Sequence, residues 1–235
     1  MRRGEIRWAL VMLAAAAIVL AGGVKSVRAQ QSSTPGTPAA AAPPAAGEKT
    51  GTAAADTSVQ RMEAKEKAFK DRLAKNPADF DAAYGLGNLY YDQGKRTEAE
   101  ESYRKALKIK PEDVPALVNL GVVLNEAGKS DDALVQFDHA LSIKPNDILA
   151  LCNKGQALYA VKKYNEAVDL YLKAIQIDPK SQTAHYWLGV SFADAGIYKE
   201  AISEWQTVTQ IDPTSEIANT AKEGISVLQQ MINQK

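Results

Sequence analysis

One cysteine and two histidines in 235 residues leave little for several kinds of chemistry to use. Cys152 alone cannot staple a small fold, and His139 and His185 stand far apart, with no histidine pair at the spacing a helical metal site needs. The 15 glycines are dispersed along the body of the chain rather than gathered into a phosphate-cradling loop. Acid pairs such as Asp131 and Asp132 have no partner base and read as first-turn helix charges. The expectation is a chain without metal or cofactor that is not an enzyme.

Excess charge is also missing, with 28 basic residues against 28 acidic ones. The balance is uneven in place. Arg2, Arg3, Arg7, Lys25 and Arg28 against Glu5 give residues 1–29 a net +4, which leaves −4 on the remainder. An acidic body repels phosphate, so nucleic acid is not an expected partner.

Long apolar runs are confined to Trp8–Leu20, which follows a basic start and precedes Gly22, Gly23 and Val27-Arg28-Ala29. These are the parts of an export signal cleaved before Gln30. Extended to Val24 the run has 17 residues, against roughly 20 needed to span hydrocarbon; an uncleaved inner-membrane anchor is the rival reading. Either reading makes the protein exported and periplasmic, touching a membrane only through residues 1–29 if they are retained. Residues 30–57 contain no Leu, Ile, Val, Met or aromatic side chain. Such a stretch cannot bury enough surface to offset its ordering entropy and reads as a disordered Ala/Pro/Ser/Thr-rich linker.

What the chain has is a period. Pro77, Pro111, Pro145, Pro179 and Pro213 are spaced by 34 residues, each followed two places later by a capping residue: Asp79, Asp113, Asp147, Ser181 and Ser215. Four blocks result, 80–113, 114–147, 148–181 and 182–215. In the first, Ala83, Leu86, Gly87 and Tyr90 form one helical face, and after Gly94 a second stripe runs through Ala99, Tyr103, Ala106 and Leu107. Two amphipathic helices joined by a short turn make a helical hairpin. The same stations recur as Leu120, Gly121, Leu124 and Phe137, then Leu151, Gly155, Leu158 and Tyr171, then Leu188, Gly189, Phe192 and Trp205.

Thr97 with Glu100, Ser130 and Asn165 are expected to cap the second helices. Lys162 stands where other turns have Gly94, Gly128 and Gly196, so the third turn is expected to be strained or differently shaped. Lys154 replaces an apolar residue, and His185 is expected to pack rather than ligate. Residues 58–79 read as an amino-terminal helix, half of a degenerate unit with Phe69 on the aromatic station. Residues 216–235 read as a capping helix with Ile217, Ala221, Ile225, Leu228 and Ile232 in one stripe.

This pattern resembles the tetratricopeptide repeat. The resemblance implies an all-α, right-handed α-solenoid of four hairpins with flanking capping helices. It further implies a concave groove, lined by the first helix of each hairpin, that receives a peptide or protein ligand. Carried over by position, the groove would present Tyr84, Asn88, Tyr91, Val118, Val122, Asn125, Leu149, Cys152, Gln156, Tyr159, Tyr186 and Val190. The tyrosines would hold apolar or aromatic ligand side chains, while Asn88, Asn125 and Gln156 would hydrogen-bond its backbone. Relatives that grip chaperone tails need cations for a terminal carboxylate. Here Tyr84, Leu149 and Asn153 stand where those cations would be, which excludes that use. The functional expectation is an exported, non-catalytic scaffold for a protein partner. The alternatives are a self-assembling structural protein, a homo-oligomer joined end to end or through Cys152, and an accessory subunit of an envelope assembly, secretion or polysaccharide machine.

Overall fold

The computed structural model describes residues 51–234, all of whose regular structure is helical. The expected export signal and most of the expected linker lie outside the described residues. Helix α1 (Gly51–Lys75) leads into four antiparallel hairpins: α2 (Phe80–Asp92) with α3 (Arg96–Ile109), α4 (Val114–Glu126) with α5 (Ser130–Ile143), α6 (Ile148–Ala160) with α7 (Tyr164–Ile177), and α8 (Gln182–Asp194) with α9 (Tyr198–Ile211). Helix α10 (Glu216–Asn233) closes the series. Each helix packs on its successor in chain order, and the first helices α4, α6 and α8 also touch one another. None of the described helices is long and apolar enough to cross a membrane.

The proline-and-cap signal works as its chemistry requires. Asp79, Asp113, Asp147, Ser181 and Ser215 each accept a hydrogen bond from the third residue onward, at 3.0, 2.9, 3.0, 3.4 and 3.1 Å. That bond satisfies one of the amides a helix start leaves orphaned. The second helices begin differently, and here the capping expectation is corrected. Helices α3, α5, α7 and α9 have Lys95, Lys129, Lys163 and Ile197 at the cap position, none making a side-chain capping bond. Thr97, Ser130 and Asn165 already lie inside the helix. The reason is the tightness of the turn, in which the amide of Lys95 donates to Tyr90 O at 2.8 Å and those of Lys129, Lys163 and Ile197 do the same in their hairpins. One left-handed residue is enough to reverse the chain.

Gly94, Gly128 and Gly196 hold that conformation at φ 75°, 75° and 72°, and Lys162 holds it at φ 64°. The third turn therefore has the shape of the others. Its strain is that of a side chain placed where glycine sits elsewhere.

Between the helices of each hairpin an aromatic ring lies directly on a glycine. A Cβ on Gly87, Gly121, Gly155 or Gly189 would stand 2.4–2.5 Å from Tyr103, Phe137, Tyr171 or Trp205. These rings are at most 5% exposed, and the alanines beside them let the helix backbones approach. Phe69 of α1 seats on Gly85 in the same manner, its ring 2.6 Å from where a Cβ would be. At the other end α10 buries Ala218, Ala221 and Leu228. Lys154 reaches Asp138 at 2.6 Å, so its ammonium is paired across α5 and α6 rather than buried alone.

Helix α1 begins at Gly51, seven residues inside the stretch expected to be linker, and so also earlier than the expected start at residue 58. Ala53, Ala54 and Ala55 are strong helix formers and no proline follows Pro44 until Pro77. Propensity carries a helix back from a packed start where burial alone would not.

Candidate functional site

The first-helix face of the stack divides into three junctions, each formed where the turn of one hairpin meets the end of the next hairpin's first helix. At the first, Tyr91 ends α2, Arg96 begins α3 and Glu126 ends α4. The hydroxyl of Tyr91 donates to Glu126 at 2.6 Å, Arg96 pairs with the same carboxylate at 2.5 Å, and its guanidinium lies 4.5 Å from the centre of the Tyr91 ring. Arg96 also donates to the Tyr91 carbonyl at 2.9 Å. Anion, cation and ring are mutually satisfied.

The second junction holds Asn125, Ser130 and Ala160 at the equivalent stations, and it is neutral. Ser130 donates to the Asn125 side-chain oxygen at 2.8 Å. The third holds Tyr159, Tyr164 and Asp194. Tyr159 meets Tyr164 edge-on at 4.9 Å between centroids and faces Trp187 at 6.4 Å. Asp194 is half-buried and makes no hydrogen bond or ion pair among the described residues. Burial alone pushes its carboxyl up to about 6.

Beneath the first junction a polar ladder joins two hairpins. Tyr103 donates to the Asn88 oxygen at 2.8 Å, and the Asn119 amide donates to that oxygen at 3.3 Å and to the Tyr84 hydroxyl at 2.9 Å. Tyr84 stacks on Phe80 at 5.7 Å. In the third hairpin Gln156 replaces asparagine and donates to Asn153 at 3.3 Å, while the buried Tyr171 hydroxyl has no partner among the described residues. In the fourth, His185 lies between the Glu204 carboxylate at 2.6 Å and the Pro179 carbonyl at 3.0 Å. Both neighbours are acceptors, so the hydrogen bond to Glu204 raises the imidazole's pKa. His185 packs, as expected, with both ring nitrogens hydrogen-bonded.

The twelve expected groove residues thus fall into three groups. Tyr84, Asn88, Tyr91, Asn125, Leu149, Tyr159 and Val190 are half-buried along the first helices. Gln156 and Tyr186 are each 7% exposed, and burial pushes the Tyr186 hydroxyl up to about 12. Val118, Val122 and Cys152 are at most 1% exposed and are removed from the contact set. Val118 and Val122 belong to the apolar cluster of the first two hairpins, and Cys152 packs with Leu151, Ala174 and Ala184. Burial pushes the Cys152 thiol up to about 12, so it stays protonated and closed to disulfide exchange in this fold. The oxygens of Asn88 and Asn125 are engaged internally, which turns part of the expected backbone-binding capacity into structure.

Sequence reasoning alone passes over Arg96, Glu126, Tyr164, Trp187 and Asp194. The signal that could find them is the period itself, since Tyr91, Arg96 and Glu126 recur two repeats later as Tyr159, Tyr164 and Asp194. Among the described residues no group of three or more His, Cys, Asp or Glu is placed to hold a metal ion.

The TPR repeat family matches residues 87–128 and 155–196, segments that each run from within one hairpin's first helix, through its second helix and the next first helix, to the turn at Gly128 or Gly196. With ten described helices stacked in series, the chain carries tetratricopeptide repeats. It superposes on MamA with a TM-score of 0.59 at 19% identity, covering 71% of this chain and 97% of that one. It superposes on YrrB, described as a TPR protein with an unusual peptide-binding site, with a TM-score of 0.56 at 26% identity over 73% and 88% of the two chains. For TTC0263, a thermophilic TPR protein of Thermus thermophilus, the TM-score is 0.60 at 15% identity, over 73% of this chain and 94% of that one. No curated protein sequence matches the chain. The tetratricopeptide fold supports the role of a protein-interaction scaffold.

Proposed function

We propose that the protein is an exported, non-catalytic scaffold that holds an extended segment of a protein partner along its first-helix face. The observation that carries this reading is the row of half-buried Tyr91, Asn125, Leu149, Tyr159 and Val190, which crosses all four hairpins on the first helices. Large side chains that are packed at their base and open at their tips supply contact area at low entropic cost. The peptide-binding site named for YrrB is support by likeness of fold. Export is supported by the basic start and the apolar run of residues 1–29.

The test is site-specific photo-crosslinking in the native host, with the reactive residue placed at Leu149 or Val190, and at exposed Val135 or Leu172 on second helices as controls. Adducts to a protein partner are expected from the first pair and not the second. Equal adducts from both pairs would remove the groove assignment. A mature polypeptide beginning at Gln30 is the expected mass-spectrometric mark of export; an intact amino terminus on a cytosolic protein would defeat that part.

A further inference from the structure

The three junctions repeat one set of stations with three electrostatic solutions. At the first, a carboxylate and a guanidinium are both present and paired. At the second, Asn125, Ser130 and Ala160 carry neither. At the third the carboxylate of Asp194 is present and Tyr164 occupies the station of Arg96. An anion without its cation is half-buried, where Ala160 shows that the fold accepts an uncharged residue. Withdrawing a carboxylate from water with no counter-ion costs stability that the other two junctions avoid.

The surroundings define what would complete the set. Tyr159 matches Tyr91, whose ring Arg96 covers at 4.5 Å. Tyr164 adds a second ring at 69° to the first, and Trp187 a third on the helix that carries Asp194, two turns before it. Neither the Tyr159 nor the Tyr164 hydroxyl has a hydrogen-bond partner among the described residues. At stations that bring ring, cation and carboxylate together in the first junction, aromatic faces and a lone carboxylate favour a flat, weakly hydrated cation that can stack and donate at once, which selects guanidinium over ammonium.

We propose that the third junction is a pocket for an arginine side chain presented by the bound segment of a protein partner, which takes the place that Arg96 fills within the chain at the first junction. The proposal rests on the scaffold reading and adds the residue chemistry its ligand must carry. The chain thereby gains a register mark, since an arginine seated here fixes which part of an extended segment lies over α6 and α8.

The test titrates the full-length protein with acetyl-Gly-Arg-Gly-amide and, as control, acetyl-Gly-Gln-Gly-amide, followed by NMR of the tyrosine and tryptophan rings and the Asp194 carboxyl. The arginine probe is expected to shift Tyr159, Tyr164 and Trp187, and Asp194→Asn to weaken it about tenfold. Tyr164→Arg is expected to abolish probe binding by supplying the cation from within, and to lower the pH at which Asp194 titrates. Circular dichroism checks that both variants keep their helices; should Tyr164→Arg fail to fold, Asp194→Asn decides alone. Equal shifts with both probes, or undiminished binding by Asp194→Asn, would overturn the proposal. So would an Asp194 that already titrates as a paired carboxylate before any probe is added, which would assign the pocket to the chain's own amino-terminal arginines. Because the probe needs no partner protein, failure of the crosslinking experiment and failure of this one are separate results.

Discussion

At the first junction Glu126 is bound by Arg96 and by the Tyr91 hydroxyl, while at the third Asp194 holds the station of Glu126, with Tyr159 and Tyr164 at those of Tyr91 and Arg96 and no cation paired with it among the described residues. The difference extends inward, where Tyr103 donates to Asn88 but the equivalent hydroxyl of Tyr171 has no partner among the described residues. One end of the stack has its polar groups completed from within. The other is completed by aromatic packing and leaves a charge over. In a repeat protein each unit contacts mainly its neighbours, so such differences stay local and the two ends can be assigned different work without disturbing the fold.

The largest expected effect breaks the aromatic end outright. Trp205 is clasped by Gly189 and Gly224, each of which would carry a Cβ 2.5 Å from the indole, and its Nε1 donates to the Tyr186 carbonyl at 3.0 Å. Trp205→Ala is expected to cost about 3–5 kcal/mol in urea unfolding. A loss below about 1 kcal/mol would mean that the fourth hairpin does not rest on this ring.

The sharper contrast uses two acids with opposite signs. Glu126→Gln strands Arg96 and is expected to destabilise by about 1 kcal/mol, a modest value because the pair is partly exposed. Asp194→Asn is expected to stabilise by a similar amount at pH 8. The folded Asp194 carboxyl lies near 6 and an unfolded one near 4. Between those values the folded state holds more protons, so the burden on stability is absent below pH about 4 and grows as pH rises to about 7. The gain from Asp194→Asn should therefore vanish in acid, and thermal melts across that range measure it. A gain independent of pH would remove burial of the charge as its cause.

The smallest effect concerns the turn that delivers Tyr164. Lys162→Gly removes a side chain from the left-handed region, at φ 64°. It gives back part of the gain as unfolded-chain entropy, for a net stabilisation of about 0.5 kcal/mol. Destabilisation would show that the lysine makes a contact that outweighs its strain.

Much of the architecture is legible in the sequence because its determinants are local or periodic. Capping needs only a residue type at a fixed distance from proline, and Asp79 through Ser215 obey it. The glycine and aromatic stations follow from one helix needing to lie close to another. The starts of the second helices mislead because Thr97 and Ser130 have capping side chains, yet a six-residue backbone turn satisfies the helix before they are reached. The groove is legible as a set of stations but not as a surface. Val118, Val122 and Cys152 share their stations with the half-buried Tyr84, Asn88 and Val190, and only the packing around each site separates the two fates.

The amino-acid sequence by itself determined that this chain is a stack of four helical hairpins, because a period of 34 residues, a cap and a small-residue face each act within a few turns of helix. Which polar groups would meet was decided by the tertiary structure alone. Arg96 and Glu126 lie 30 residues apart in the chain and 2.5 Å apart in space, and Asp194 lacks a cation among the described residues only because the hairpin packed before it brings a tyrosine to that place.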